Sequence, residues 1–223
     1  MSRVLVFVEG QTELTFVREI VAPHLGQFGL TIHSTMAGKP GSGGVPPFSR
    51  LLSEVVALLR KDSNIICTTM FDFYGMPFNW PQRNNAASVS SHQEKALLVE
   101  NAVAEAVYQE MGSSFNRNRF IPYVQMHEFE ALLFSDTQIL SDTIQLRSAN
   151  VLNEIVEAFE HPELINDRPD SAPSKQLIQI QPGYQKILHG NLAAKRIGLK
   201  QMRQKCPHFN AWIDQLEQIR ANE

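Results

Sequence analysis

The sequence predicts an α/β fold: a mainly parallel, four-stranded sheet flanked by helices, followed by a helical C-terminal region. Three observations carry this. Short continuous β-favouring runs, apolar on both faces, occur at Val4–Val8 and Ile65–Phe71, the pattern of strands buried beneath helices. Helix-period segments alternate with such runs through roughly the first 135 residues, and that alternation implies right-handed crossovers and parallel strands. Beyond Ser135 the pattern is helical or loop-like throughout. The expected organisation is an α/β core over residues 1–136 and a helical region over 137–223 packed on it.

The elements follow in order. Val4-Leu5-Val6-Phe7-Val8 stops at Glu9-Gly10. A helix comes next, with Leu14, Val17, Val21 and Leu25 on one face and Pro23 expected to bend or end it. Leu30 to Thr35 reads as the second strand. Ala37 to Pro47 holds four glycines and three prolines and is a loop. Its Gly38-Lys39-Pro40-Gly41-Ser42-Gly43-Gly44 run is not a phosphate loop, because no Gly-Lys-Ser/Thr follows and Pro46-Pro47 stands where the helix should begin. Leu51, Leu52, Val55, Val56, Leu58 and Leu59 mark a strongly apolar helix. The third strand, Ile65 to Phe71, ends at Asp72. Tyr74 to Ser91 has no clear periodicity, and connections of that length are as a rule functional lids or disordered. Ser91 to Met111 is an amphipathic helix with Glu94 at capping-box spacing from Ser91. Arg119 to Met126 is the fourth strand, at an edge because it carries Pro122. Further helices are expected near Val151–Phe159, Ser174–Gln179, Gln185–Ile197 and Pro207–Arg220.

Composition narrows the functional classes. With 43% hydrophobic and 19% charged residues, the chain is neither disordered, collagenous nor a coiled coil. No run approaches the roughly 18–20 apolar residues that span a bilayer, and Glu9 interrupts the first apolar run where a signal peptide would continue. Cys67 and Cys206 lie far apart with no zinc-type spacing and read as reduced thiols of a cytoplasmic protein. A net charge of −3 argues against a dedicated nucleic-acid coat. The charge is nonetheless uneven: His127 to Asp170 carries ten acids against two arginines, whereas Ser171 to Lys205 carries no acid and seven bases. Those bases are Lys175, Lys186, Lys195, Arg196, Lys200, Arg203 and Lys205. Such a segment suits a surface that tracks a phosphate backbone, or equally a solvated helix face.

Open parallel sheets bind ligands outside the carboxyl ends of their strands. Glu9, Asp72 and the Glu128/Glu130 pair end the first, third and fourth strands, so three strands deliver carboxylates to one rim. Asp72 closes an otherwise apolar strand, where a carboxylate is costly unless it meets a cation or donors. Oxygen donors of this kind suit Mg²⁺, which takes one or two carboxylates together with water and substrate phosphate, and polarises a phosphoryl oxygen towards an attacking water. Glu13, one turn beyond Glu9, either supports the helix start or joins the site. Glu128 and Glu130, at i and i+2 on a helix, are expected to diverge, leaving at most one as a ligand. His127 reads as a cap, a satisfied histidine or a proton-transfer group, and Cys206-Pro207-His208 is too small a cluster for a metal site and reads as core or surface.

Val8-Glu9-Gly10-Gln11-Thr12-Glu13 resembles the opening of Toprim domains, a strand, Glu-Gly and a helix, shared by topoisomerases, primases and the overcoming-lysogenization-defect (OLD) nucleases. Further blocks cover nearly the whole chain: Phe71 to Pro77, His127 to Phe134, Arg168-Pro169 through Ala172 to Lys175, Tyr184 to Lys186, His189-Gly190 and Cys206 to Phe209. Together they resemble a Toprim-like bacterial family designated domain of unknown function 4276. The resemblance implies a Toprim-like, Rossmann-like core and Mg²⁺- (or Mn²⁺-) dependent phosphodiester hydrolysis. Glu9 would be the acid/base and Asp72 a metal ligand, with Glu128 or Glu130 completing the centre. The second acid of the Toprim Asp-x-Asp pair falls at Tyr74, so either Glu128 or Glu130 supplies the missing oxygen, or one ion binds weakly, or the domain does not cut. Lys175, Lys186, His189, Lys195 and Arg196 are the expected phosphate contacts. The resemblance also implies an ABC-type ATPase partner in phage defence. The alternative is a non-catalytic regulatory or binding module of such an ATPase complex.

Overall fold

The computed structural model describes residues 2–37, 44–165 and 172–219. Gly38–Gly43 of the glycine-rich loop and the Arg168-Pro169 block lie outside them. The chain divides into two units, one of residues 1–126 with 214–223, the other of residues 127–213. The apolar run that sets the expected boundary after residue 136 belongs to the second unit, as a 3-10 helix over Phe129–Ser135.

The first unit is built on a wholly parallel sheet. Strand β1 (Arg3–Val8) lies between β2 (Thr31–Met36) and β3 (Ile65–Asp72), with Val8 opposite both Met36 and Met70. The expected fourth strand is split in two. β4 (Phe120–Ile121) pairs with Cys67–Thr68, and β5 (Val124–Gln125) with Phe71–Asp72, along the same edge of β3. Pro122 sits between them and has no N–H for the ladder. The Thr68 and Thr69 hydroxyls bridge the gap, donating to the Ile121 and Tyr123 carbonyls at 2.5 and 2.9 Å.

After β1, α1 (Gln11–Phe16), a π turn (Val17–Val21) and α2 (Ala22–Gly26) form one helical path with right-handed dihedrals at every junction. Pro23 bulges this helix and does not end it. The wider π turn precedes the position where proline has no N–H to give. Helices α3 (Phe48–Lys61) and α5 (His92–Met111) bury Leu51, Val55, Val99 and Val103 against Phe7, Cys67 and Phe71 of the sheet. Glu94 N–H donates to the Ser91 hydroxyl at 3.3 Å, the cap its spacing predicts. Tyr74 to Ser91, expected as a lid or disordered, instead contributes side chains to the core. Met76, Trp80 and Ala86 are buried there, the Trp80 indole N–H donates to the Pro46 carbonyl at 2.9 Å, and α4 (Arg83–Ala86) turns the chain towards α5.

The second unit is helical: α6 (Thr137–Thr143), α7 (Asn150–Glu157), α8 (Pro173–Ile180), a π turn (Lys186–Gly190), α9 (Asn191–Ile197), α10 (Leu199–Lys205) and the first part of α11 (Pro207–Glu217), whose residues from Asp214 on belong to the first unit. Periodicity missed α6 and α10, both short, and merged the π turn with α9. The buried Glu163 carboxylate accepts the His208 and Phe209 N–H groups at 2.9 and 2.8 Å, holding the start of α11. Cys206 is buried beside the Ser135 hydroxyl, while Pro207 is exposed. Cys67 is buried too, and loss of hydration, outweighing the nearby Arg119, pushes its thiol up to about 12. Among the described residues no helix is long and apolar enough to cross a membrane.

Candidate functional site

Glu9 stands one residue beyond β1 and Asp72 is the last residue of β3, so neighbouring parallel strands carry the two acids to one rim. Both are half-buried. The turn after β3 closes around them. Asp72 Oδ1 accepts the Tyr74 N–H at 2.8 Å, an Asx turn that fixes the carboxylate. Three residues beyond Asp72, Gly75 lies against the Glu9 carboxylate: a Cβ there would stand 3.1 and 3.2 Å from its two oxygens. Gly75 does not have a left-handed φ, so space for Glu9 is the reason for a glycine. Glu13, in the first turn of α1, sits where a carboxylate favours the helix start.

A cation beside this rim escaped the sequence reading. Arg83 is buried, its Nε–H donates to the Phe73 carbonyl at 2.9 Å, and its guanidinium lies 3.8 Å over the Phe73 ring. Burial pulls the guanidinium below its ordinary value, opposed by the nearby Tyr74 phenol and Asp72 carboxylate. Gln82, just before it, adopts a left-handed φ of 58°, which turns α4 so that Arg83 points inward. Only the breakdown of periodicity around Trp80 marks this segment in the sequence.

Glu128 and Glu130 converge, against expectation. Glu128 precedes the 3-10 helix in extended backbone (φ −56°, ψ 157°), so helical spacing does not apply to it. Lys186 Nζ lies 3.0 Å from Glu130 Oε2 and 3.7 Å from Glu128 Oε1. The Ser174 N–H donates to Glu128 Oε2 at 2.9 Å, and the Tyr184 hydroxyl to Glu130 Oε1 at 3.3 Å. Glu130 is completely buried. Loss of hydration, opposed by Lys186 and reinforced by Glu128, raises its carboxyl to about 7. Burial and Glu130 likewise raise the Tyr184 phenol. Gly190 packs here: a Cβ would stand 3.0 Å from the Tyr184 hydroxyl and 3.5 Å from Phe129. Ser174, Tyr184 and Gly190 lie in the blocks that carry the family resemblance, but nothing in their spacing announces the Glu130 contact.

The remaining basic residues divide. Arg196 Nη1 donates to the Thr143 hydroxyl at 2.8 Å, and His189 Nδ1 accepts the Gln185 N–H at 2.9 Å. Lys175, Lys195 and Lys200 are exposed on α8, α9 and α10. His127 is buried.

The donors at the rim suit a hard divalent cation: two half-buried carboxylates, with Gly75 keeping the space beside Glu9 open. Among the described residues no three His, Cys, Asp or Glu side chains group as a metal site, so a metal reading rests on Glu9 and Asp72. A cavity of about 370 Å³ lined by Asn64, Asn116, Asn118 and Arg119 opens instead at the amino ends of β3 and β4, away from these acids.

Residues 8–217 match the family described as domain of unknown function (DUF4276). The chain belongs to that family. Among solved structures it is similar to the C-terminal region of the Burkholderia pseudomallei OLD protein, at 15% identity and a TM-score of 0.47, over 100% of this chain and 98% of that one. No curated protein matches it.

Proposed function

We propose that this DUF4276 chain is a Mg²⁺-dependent phosphodiester hydrolase of the Toprim kind, acting on nucleic acid. The observation that carries the reading is the meeting of the Glu9 carboxylate with the turn that begins at Asp72, at the carboxyl ends of adjacent parallel strands. Glu9 and Asp72 would hold the ion, which when bound polarises a phosphoryl oxygen and lowers the pKa of a coordinated water. The chain's own contribution is placement. The Tyr74 N–H holds Asp72, Gly75 leaves room beside the Glu9 carboxylate, and Glu9 would be the group that takes or gives a proton. Within this reading the exposed Lys175, Lys195 and Lys200 are backbone contacts, and an ABC-type ATPase is the partner the family resemblance implies.

Glu9→Gln and Asp72→Asn should each lower Mg²⁺-dependent cleavage of DNA or RNA by at least about 10²-fold, with the melting temperature nearly unchanged. Cleavage that survives both substitutions removes these residues from the site. Arg83 favours the second reading, a non-catalytic module, because its charge already acts on Asp72. Calorimetric titration with Mg²⁺ or Mn²⁺ separates the two: a hydrolase gives saturable heat that Asp72→Asn removes, whereas a non-catalytic module gives none.

A further inference from the structure

We infer that Tyr74 and Phe78 form a stacking platform for unpaired nucleobases, so that the substrate is single-stranded nucleic acid. The inference builds on the phosphodiester reading of the neighbouring carboxylates. Among the described residues, the large apolar side chains left substantially exposed include just two aromatic ones, Tyr74 at 42% and Phe78 at 68%. Tyr74 lies in the turn that begins at Asp72, two residues away, at most about 7 Å of backbone, and Phe78 in the next turn, closed by the Trp80 N–H on the Pro77 carbonyl. A nucleobase stacked there brings its own phosphate to the carboxylate rim.

The two rings are held and not merely left outside. The buried Arg83 guanidinium lies 5.9 Å from the Tyr74 centroid and 5.2 Å from that of Phe78, with its closest face on Phe73. Phe73 meets Tyr74 edge to face, centroids 5.3 Å apart at 85°. A buried cation under fixed aromatic rings pre-organises flat surfaces, and flat π surfaces recognise bases irrespective of sequence. The contrast with the second unit favours bases over a protein partner. There the exposed large apolar side chains, Val151, Ile178, Ile187, Leu188 and Leu192, are all aliphatic and offer no stacking face. In a duplex the base faces are already stacked on one another and unavailable, so the platform selects single strands.

The test is binding by the full chain, by fluorescence anisotropy of a labelled single-stranded oligonucleotide and of the same length as duplex, at low ionic strength in EDTA. Wild type should prefer the single strand. Tyr74→Ala and Phe78→Ala should each weaken single-strand binding about five- to hundredfold, and Phe78→Trp should retain it. Single-strand affinity within twofold of wild type in both alanine variants overturns the platform. So does equal affinity for duplex, or no binding to either, including the case where Phe78→Ala instead releases a protein partner. Because no metal is present, loss of this platform is distinguishable from loss of the hydrolase: cleavage that needs Glu9 and Asp72 but ignores Phe78 leaves the hydrolase standing alone.

Discussion

The two carboxylate clusters differ in the contacts that surround them. At the rim of the sheet, Glu9 and Asp72 are half-buried: a backbone N–H reaches Asp72, a glycine lies beside Glu9, and the buried Arg83 guanidinium acts on Asp72 through space. In the helical unit, Glu128 and Glu130 meet a side-chain cation, Lys186, and a phenol closes over the buried member. A carboxylate at the carboxyl rim of a parallel sheet is placed to meet an incoming ligand. One that faces an ammonium at 3.0 Å already has its cation in the chain. Four acids that look alike as letters thus divide into a pair at the sheet rim and an ion network around Lys186.

The sharpest way to break this distinction is to titrate Glu130. Its folded pKa of about 7 lies above the ordinary 4.5 because burial outweighs Lys186. A carboxyl raised in this way binds its proton more tightly when folded. Its contribution is therefore fully present below about pH 4.5 and is lost as the pH rises through about 7, by up to ~3 kcal/mol in all. Urea midpoints between pH 5 and 8 should fall more steeply in the wild type than in Glu130→Gln. Equal slopes would mean that Glu130 titrates like a surface acid and that the two clusters do not differ.

Lys186→Ala gives a smaller effect. Breaking a fully buried ion pair costs roughly 3–5 kcal/mol, but the Lys186 side chain is 40% exposed and Glu130 can escape its penalty by taking up a proton. The expected loss is about 1–2 kcal/mol at neutral pH, growing as the pH rises. Adding Glu130→Gln should recover most of it, and a double-mutant cycle measures that coupling. An equal loss with Glu130→Gln present would make Lys186 a packing residue.

What the sequence made legible follows from what local pattern encodes. Val4–Val8 and Ile65–Phe71 are strands because an apolar β-favouring run has no other way to be buried on both faces, and their ends fix Glu9 and Asp72 at one rim. The split of the fourth strand at Pro122 was half legible: proline marks an edge, but the side-chain bridges from Thr68 and Thr69 are long-range contacts with no local signal. The convergence of Glu128 and Glu130 was misread because i, i+2 geometry presumes both lie in a helix, and Glu128 is its extended cap. Arg83 was invisible for a related reason. Its partners are a carbonyl and rings up to ten residues earlier, brought round by a left-handed Gln82 in a segment without periodicity.

The two glycines offer the finest discrimination, because each makes room at one cluster. In Gly190→Ala the new Cβ would lie 3.0 Å from the Tyr184 hydroxyl and 3.5 Å from the Phe129 ring. The hydroxyl must move, and the hydrogen bond it gives Glu130 weakens, for a loss of about 0.5–1.5 kcal/mol. In Gly75→Ala the new Cβ meets the end of a half-buried Glu9 side chain, which can give by a few tenths of an ångström. Alanine also stiffens the unfolded chain by about 0.4–1 kcal/mol in favour of folding, so stability should barely change. The displaced carboxylate is the proposed ligand, however, so Mg²⁺ titration should show several-fold weaker binding in Gly75→Ala and none of that change in Gly190→Ala. Thermal melts and metal titrations of the same two variants then move in opposite senses: the helical cluster answers in stability, the rim in metal affinity. Equal metal affinity in both would leave the space beside Glu9 without a role in holding a cation.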